Sequence, residues 1–259
     1  MPAPTRSVDD LRRLVRQADA AYRDGAPLMS DAEFDRLEAE LRSVAPHAPE
    51  LSVPGGGTTK RGVPMLSLDK NDFYGSTGWH ATYAQGQGLI VQPKIDGLAL
   101  ALVYQDGKLV AAWTRSGKCA LHVAQLVHTV PKQVEHPGYL EVHGELYGLD
   151  HKQSTPAAAL RKKLPSGKGL AFTAYRLPTL DLDEINAISL LDRLGFSVPD
   201  TLLCTKPEEV EKLYRLWIAG AAFTTWPTDG IVVKLLSRTA QQQLGSTDRA
   251  PRWAHALKG

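Results

Sequence analysis

A lysine and a carboxylate interrupt an otherwise apolar stretch at residues 91–104, VQPKIDGLALALVY. Alternate side chains of an extended strand share a face, so Gln92, Lys94 and Asp96 point the same way. An amine set against apolar neighbours loses hydration, which favours the neutral form that acts as a nucleophile. Gly97 then removes a side chain where another group can approach the backbone. The alternative is an ion pair at a strand end before a turn glycine, and KIDG alone does not decide between the two.

Other charged side chains end or interrupt apolar stretches elsewhere in the chain. They are Arg115 in VAAWTR, Glu145 in EVHGELYG, Lys234 in DGIVVK and Lys258 in PRWAHALK. Together with Lys94 they form a set of cations and a carboxylate, which suits a nucleotide phosphate and ribose. Tyr175 in FTAYRL either stacks on a base or, as is commoner for a strand tyrosine, packs in a core. Alternation puts Asp229 and Lys234 on opposite faces, so spacing gives these two no shared site.

Strands must position these residues, and the chain predicts several of them. Apolar runs over 89–115 predict strands with a hairpin turn at Asp106-Gly107, and further strands are predicted at 139–148, 170–177, 228–237 and 252–258. Helices are predicted at 7–25, 30–44, 154–164, 182–196 and 205–220. Ser30 and Glu33 have the spacing of a capping box. Strands interrupted irregularly by helices indicate an α+β fold rather than a doubly wound sheet.

Composition indicates the size and the broad class of the protein but not its function. The chain has 259 residues, 43% of them hydrophobic, enough for one large domain or a domain with a small appendage. A net charge of +2 neither indicates a nucleic-acid binder nor excludes a local basic face. Cys119 and Cys204 lie far apart, with no zinc or disulfide spacing. Without a signal peptide or an apolar run of membrane length, we expect a cytoplasmic protein with no membrane partner.

The order of the motifs carries a resemblance. KIDG, TRSG, EVHGELY, FTAY, DGIVVK and QLGSTDRAPRWAHALK follow one another along the chain, and VPMLSLDK precedes them. In this order they resemble the adenylation domain of NAD-dependent DNA ligases, within the covalent nucleotidyltransferases. GAPLMSDAEFDRL resembles the small helical module that grips the nicotinamide mononucleotide half of NAD. The likeness runs from about residue 8 to the C-terminus, and it leans toward the shorter second type of bacterial ligase.

The resemblance implies a fold, a domain division and a reaction. The fold would be the ligase-type nucleotidyltransferase fold, unrelated to ATP-grasp, with antiparallel sheets and flanking helices behind a small helical hairpin. Residues 1–60 would form the NAD-recognition module with its linker, and 61–259 the adenylation domain. The chain would transfer AMP from NAD to its own lysine and release nicotinamide mononucleotide, as the first step of DNA nick ligation in repair and replication.

The resemblance also implies roles for individual residues. Lys94 would attack the α-phosphate of NAD and carry AMP as a phosphoramidate. The residues implied at the phosphate and its Mg²⁺ are Asp96, Lys234 and Lys258, with Glu145 and Asp229 as further metal ligands. Those implied at the ribose are Arg115 and Glu145, and those implied at adenine are Ser67, Leu68, Gln92 and Tyr175. Those implied at the nicotinamide side are Tyr22, Asp31 and Asp35.

Departures from the family pattern keep other functions open. Gln92 stands where many members have a glutamate that reads the adenine amino group. Ala21 replaces the first residue of a tandem tyrosine, and Phe34 replaces the usual tyrosine before Asp35. The alternatives are an ATP-using nucleic-acid ligase or adenylyl donor, for which the helical module would have no use, and a nucleotide-binding subunit without turnover. We expect sealing of nicked DNA to need a further oligonucleotide-binding domain, fused or on a separate chain.

Overall fold

The computed structural model describes residues 6–23, 28–45, 48, 63–70, 72–75, 77–149, 156–161 and 167–259. Contacts divide the chain into two units, Met1–Pro54 and Gly55–Gly259. The division falls in the Pro- and Gly-rich stretch where the sequence predicted a boundary at residue 60. The roles of the two units stay predictions at this point.

The smaller unit contains two amphipathic helices, α1 (Val8–Arg23) and α2 (Asp31–Val44). Their apolar faces form a small core with Leu11, Leu37 and Leu41 at its centre. Ser30 starts α2 with the predicted capping box, in which the Glu33 amide donates to Ser30 Oγ and the Ser30 amide donates to Glu33 Oε2. This cap satisfies backbone donors that a helix start otherwise leaves unpaired.

The larger unit is built on two antiparallel sheets of four strands each. In spatial order the strands of the first sheet are β6 (Leu202–Cys204), β1 (Leu89–Ile95), β7 (Thr228–Leu235) and β8 (Ala254–Lys258). Those of the second sheet are β3 (Lys108–Thr114), β2 (Leu98–Gln105), β4 (Tyr139–Gly148) and β5 (Leu170–Arg176). The α+β class with antiparallel sheets is therefore confirmed.

Short helices flank the two sheets. They are α3 (Leu121–Leu126), α4 (Pro156–Arg161), α5 (Glu184–Arg193), α6 (Pro207–Ile218) and α7 (Arg238–Leu244), with a π-helical turn at His80–Ala84. Each sheet has its own apolar core, one around Leu100, Phe172 and Leu191 and the other around Val91 and Val233. Within the described ranges no helix is both long and apolar enough to cross a bilayer.

The chain passes from the first sheet to the second through Asp96 and Gly97 alone, between β1 and β2. The Asp96 amide donates to the Pro227 carbonyl at 2.8 Å. A Cβ atom at Gly97 would lie 2.3 Å from the carbonyl oxygen of Leu146 on β4. Because no side chain fits at that distance, glycine is required here. Lys94, one residue before the end of β1, thus stands at the junction of the two sheets.

The predicted hairpin turn is present, and a few short elements were not predicted. Asp106 and Gly107 have φ values of 48° and 78°, the left-handed pair that joins twisted strands tightly. The elements β6, α3 and α7 were not predicted, and they have only three, six and seven residues. Elements of that length are too short to show a hydrophobic period.

Because β4 packs closely against β5, one methyl group added at Gly144 should lower the stability of the protein. A Cβ atom at Gly144 would lie 2.2 Å from Phe172 Cζ and 2.4 Å from the Thr173 carbonyl oxygen. Since that backbone cannot move without breaking the ladder, Gly144→Ala should lower the free energy of unfolding by about 1–3 kcal/mol in urea denaturation. The control is Gly88→Ala, whose Cβ would meet only the Leu236 side chain, at 3.3 Å from Cδ2 and 3.6 Å from Cβ. Equal unfolding midpoints for the two variants would contradict this packing.

Candidate active site

Two lysines face each other across a glycine in the first sheet. Lys94 on β1 lies opposite Gly230 on β7, and Gly230 lies opposite Lys258 on β8. Opposed residues of antiparallel strands project to the same face, so both amines share that face. Lys94 Nζ donates to Asp229 Oδ1 at 2.7 Å, and Lys258 Nζ lies 3.0 Å from Asp229 Oδ2. One carboxylate therefore bridges two ammonium groups.

Asp229 reaches this face because β7 is irregular. Lys94 pairs with Gly230, but the next residue, Ile95, pairs with Thr228, so Asp229 is an extra residue in the ladder. A bulge of this kind re-aims a side chain. The prediction from alternation, that Asp229 and Lys234 lie on opposite faces, was therefore wrong. Burial alone would raise the pKa of Asp229, but the two lysines outweigh burial and lower it.

Helix α6 holds the strand ends that carry this bridge. The Tyr214 hydroxyl donates to the Lys258 carbonyl at 2.6 Å, and the Trp217 indole donates to Thr228 Oγ1 at 2.8 Å. The two aromatic rings stack with centroids 5.8 Å apart. Thr228 precedes Asp229 on β7, so α6 contacts β7 just before the bridging carboxylate and β8 at Lys258. Sequence reasoning did not find these residues, because aromatic side chains on an amphipathic helix are typical of core packing.

Lys234 does not join the Asp229 bridge. It lies opposite Ile90, further along the same face, with 7% of its side chain exposed. Its amine donates to Glu184 Oε2 at 3.1 Å and to the Tyr175 carbonyl at 3.2 Å, and it lies 5.6 Å from the centroid of the Tyr175 ring. Burial lowers the pKa of Lys234, against the raising effect of Glu184.

Glu184, the partner of Lys234, was also missed. Its other oxygen, Oε1, accepts from Gln241 Nε2 at 2.9 Å. An acidic residue in the first turn of a helix normally indicates only a favourable interaction with the helix dipole. The sequence of α5 therefore gave no reason to expect that this carboxylate is buried against a lysine of another element.

The second sheet contributes a carboxylate and an arginine. Glu145 on β4 is half-buried, and burial raises its pKa to about 7, although the positive charges of Arg115 and Lys94 act to lower it. The negative charges of Asp96 and Asp229 add to the increase. These interactions join residues from both sheets into one charged site around Lys94.

The Tyr175 side chain stands near this site and remains neutral. Burial raises its pKa, and the charge of Glu145 raises it further.

Arg115 donates to Ser67 Oγ at 3.3 Å, which ties the segment before β1 to the end of β3. Leu68, the next residue, packs against the core of the first sheet.

Gln92 lies inside the first sheet on the same face as Lys94. Its side chain is buried, with 2% exposure, and its Nε2 donates to Thr201 Oγ1 at 2.9 Å. Gln92 sits opposite Val232, in the row between Gly230 and Lys234. A polar side chain buried in this way needs hydrogen-bond partners, and Thr201 supplies one of them.

The helices that carry Tyr22, Asp31 and Asp35 are formed, but these three side chains lie outside the described part of the structure.

Asp96 is exposed, and within the described residues no three His, Cys, Asp or Glu side chains gather as a metal site of protein ligands would. A Mg²⁺ ion held largely by substrate phosphates needs only one or two carboxylates, so the residues present still fit one.

A model of the NAD-dependent DNA ligase adenylation domain matches residues 58–155 and 154–259. The chain belongs to this family. DNA ligase 1 of Nocardia farcinica (strain IFM 10152) is 30% identical to this adenylation-domain chain over 290 residues, which cover 97% of this chain and 43% of the relative. DNA ligase of Prochlorococcus marinus (strain MIT 9303) is 30% identical over 326 residues, covering 98% and 47%. The chain thus spans less than half the length of these curated relatives, and the resemblance found from the motifs is confirmed.

A solved structure supports the fold of this family member. Pmar-Lig_PreS3 has a TM-score of 0.50 and 11% identity, covering 87% of this chain and 54% of that one. At this identity the likeness concerns the fold alone.

The raised pKa of Glu145 predicts a pH-dependent cost to stability. Below the ordinary pKa of 4.5 the carboxyl is protonated in both the folded and unfolded states. Between 4.5 and about 7 the unfolded state releases the proton first, so stability falls as pH rises and then levels off. Glu145→Gln removes this loss. Relative to the unmodified protein, the variant should gain on the order of 1–2 kcal/mol in urea denaturation between about pH 5 and pH 8.

The matched control for this measurement is the exposed Glu135. Glu135→Gln also removes one carboxylate but no desolvated group, so it should not reproduce the gain. A Glu145→Gln protein whose stability follows that of the unmodified protein at both pH values would show that burial does not perturb this carboxyl.

Proposed function

We propose that Lys94 accepts AMP from NAD and releases nicotinamide mononucleotide. The observation that carries this proposal is the bridge from Lys94 through Asp229 to Lys258, beside Glu145 and Arg115. In the reaction Lys94 Nζ forms a bond to the α-phosphorus of NAD. The bond from that phosphorus to the bridging oxygen breaks, and its electrons leave with the mononucleotide.

The bridge provides what this transfer needs. The amine must lose a proton to act as a nucleophile, and Asp229 Oδ1 is the acceptor already hydrogen-bonded to it. Lys258, on the other oxygen of the same carboxylate, supplies positive charge where the transferred phosphate gains negative charge. Phosphoryl-type transfer depends mainly on such positioning and charge stabilisation, and the Tyr214 and Trp217 contacts keep the strand ends in place.

The remaining residues suit the nucleoside of the same substrate. Arg115 and Glu145 would hold the ribose hydroxyls, and Tyr175 would stack on adenine with Ser67 and Leu68 at its edge. The resemblance assigned Lys234 to the phosphate, but its contact with Tyr175 supports a place at the base instead. Tyr22, Asp31 and Asp35 would bind the nicotinamide half of NAD.

Mg²⁺ is part of the proposal as a partner of the substrate phosphates. Asp96, Glu145 and Asp229 are the carboxylates that would hold it, and Asp96 is exposed and so the most accessible of them. The ion would neutralise phosphate charge when bound. Nicked DNA is the proposed eventual acceptor of AMP, because the relatives are DNA ligases. These relatives are more than twice as long as this chain. An added oligonucleotide-binding domain would supply the DNA contacts.

Mass spectrometry of the intact protein tests the nucleophile. Incubation with NAD and Mg²⁺ should add the mass of one AMP to the unmodified protein. Lys94→Ala should give no adduct, and Lys94→Arg should give none either, because a guanidinium stays protonated. Lys108→Ala, which removes an exposed lysine of β3, is the control and should form the adduct normally. A full adduct on Lys94→Ala would rule out this mechanism.

The donor is tested with the nicotinamide-side carboxylates. Asp31 and Asp35 are spaced i, i+4 on α2, so both can face a cationic nicotinamide. The double variant Asp31→Ala, Asp35→Ala should form the adduct from NAD at least about tenfold more slowly, a loss of roughly 1.4 kcal/mol. Glu38→Ala on the same helix is the matched control. If ATP labels the unmodified protein faster than NAD at equal concentration, the chain is an ATP user.

A further inference from the structure

The orientation of the Gln92 amide is fixed by a chain of two hydrogen bonds. Gln92 Nε2 donates to Thr201 Oγ1 at 2.9 Å, and Thr201 Oγ1 donates to the Pro199 carbonyl at 3.0 Å. A hydroxyl has a single proton, and the Pro199 oxygen can only accept. Thr201 therefore has no proton left for Gln92 and can only accept from it. The amide NH₂ must face Thr201, and the amide oxygen Oε1 must face away from it.

This amide lies in the row next to the nucleophile. Gln92 and Lys94 are alternate residues of β1, about 7 Å apart along the strand and on one face. Val232 stands opposite Gln92, and the following residue of that face on β7 is Lys234, which contacts Tyr175. Gln92 thus lies between the amine that would receive the phosphate and the aromatic ring that would stack on the base.

We propose that Thr201 determines base specificity by holding Gln92 as a hydrogen-bond acceptor. The inference rests on the proposed function, in which an adenine nucleotide binds this face. A glutamine free to turn by 180° presents either C=O or NH₂, so it can pair with a 6-amino group or with a 6-oxo group. With NH₂ bound to Thr201, only the acceptor remains for the ligand. The site then selects a 6-aminopurine over a 6-oxopurine.

Turning the amide in the intact protein is unfavourable. It would place Gln92 Oε1 against Thr201 Oγ1, whose proton is held by the Pro199 carbonyl, so two acceptors would meet at 2.9 Å. At 2% exposure, water cannot replace the lost hydrogen bond easily. Thr201 makes an uncharged glutamine behave as the acceptor-only glutamate that many related ligases have at this position. Thr201 acts through Gln92 and is therefore a positioning residue.

The test compares a donor with a 6-aminopurine and a donor with a 6-oxopurine, which also carries a proton on N1. They are NAD and nicotinamide hypoxanthine dinucleotide, and the readout is the ratio of kcat/KM for formation of the Lys94 adduct. Thr201→Val removes the hydroxyl at nearly constant volume. We expect the ratio of NAD to the 6-oxo donor to fall about tenfold or more, mainly because the 6-oxo donor is used better.

Two further variants separate this role from a structural one. Thr201→Ser keeps the hydroxyl and should keep the ratio of the unmodified protein. In the double variant Gln92→Glu, Thr201→Val, the carboxylate is an acceptor in either orientation, so the preference for NAD should return without Thr201. A change of ratio that Gln92→Glu reverses cannot arise from a general loss of stability.

The outcomes distinguish this inference from the proposed function. If Thr201→Val slows both donors equally, or if the double variant does not restore the ratio, Thr201 does not set the specificity. If the unmodified protein forms no adduct from NAD, the proposed function fails. The same variants are then compared by calorimetry with AMP and IMP, and an affinity ratio that Thr201→Val leaves unchanged overturns the inference.

Discussion

The site depends on one carboxylate that serves two amines. Asp229 accepts from Lys94 and pairs with Lys258, and in doing so it balances positive charge that two neighbouring strands bring to the same face. Without it, the two ammonium groups on either side of Gly230 would lose the carboxylate that they share, and like charges repel more strongly in a partly buried site than in bulk water. The bulge in β7, the glycine at 230 and the α6 contacts are all arrangements that bring this carboxylate to the amines.

A second charged group lies deeper and is balanced differently. Lys234 and Glu184 are almost fully buried, and both oxygens of Glu184 are hydrogen-bonded. Buried ion pairs are stable only when such additional partners compensate for lost hydration. The face of the first sheet therefore carries a partly exposed pair near Lys94 and a buried pair near Tyr175, with the uncharged Gln92 between them. In the proposed function the partly exposed pair would face the phosphate, and the buried pair beside the Tyr175 ring would face the base.

Much of this could be predicted from the sequence, and the exceptions have physical causes. The strands, the Asp106-Gly107 hairpin and the Ser30 cap follow from local periodicity and turn chemistry, which act over a few residues. The face of Asp229 could not be predicted, because alternation assumes a regular ladder and a bulge depends on the partner strand. Glu184, Thr201 and Tyr214 were missed because each acts on a residue distant in sequence, and its own surroundings look like an ordinary cap, loop or helix face.

The crossing at Asp96 and Gly97 links two sets of residues that, in the proposed function, would bind different parts of one ligand. Lys94 belongs to the first sheet and Glu145 to the second. Only two residues separate β1, which carries Lys94, from β2, which pairs with the Glu145 strand β4. The connection has no slack, since Gly97 already lies against the Leu146 carbonyl. A single residue inserted here would displace one sheet's register against the other by about 3.4 Å, more than the length of a hydrogen bond.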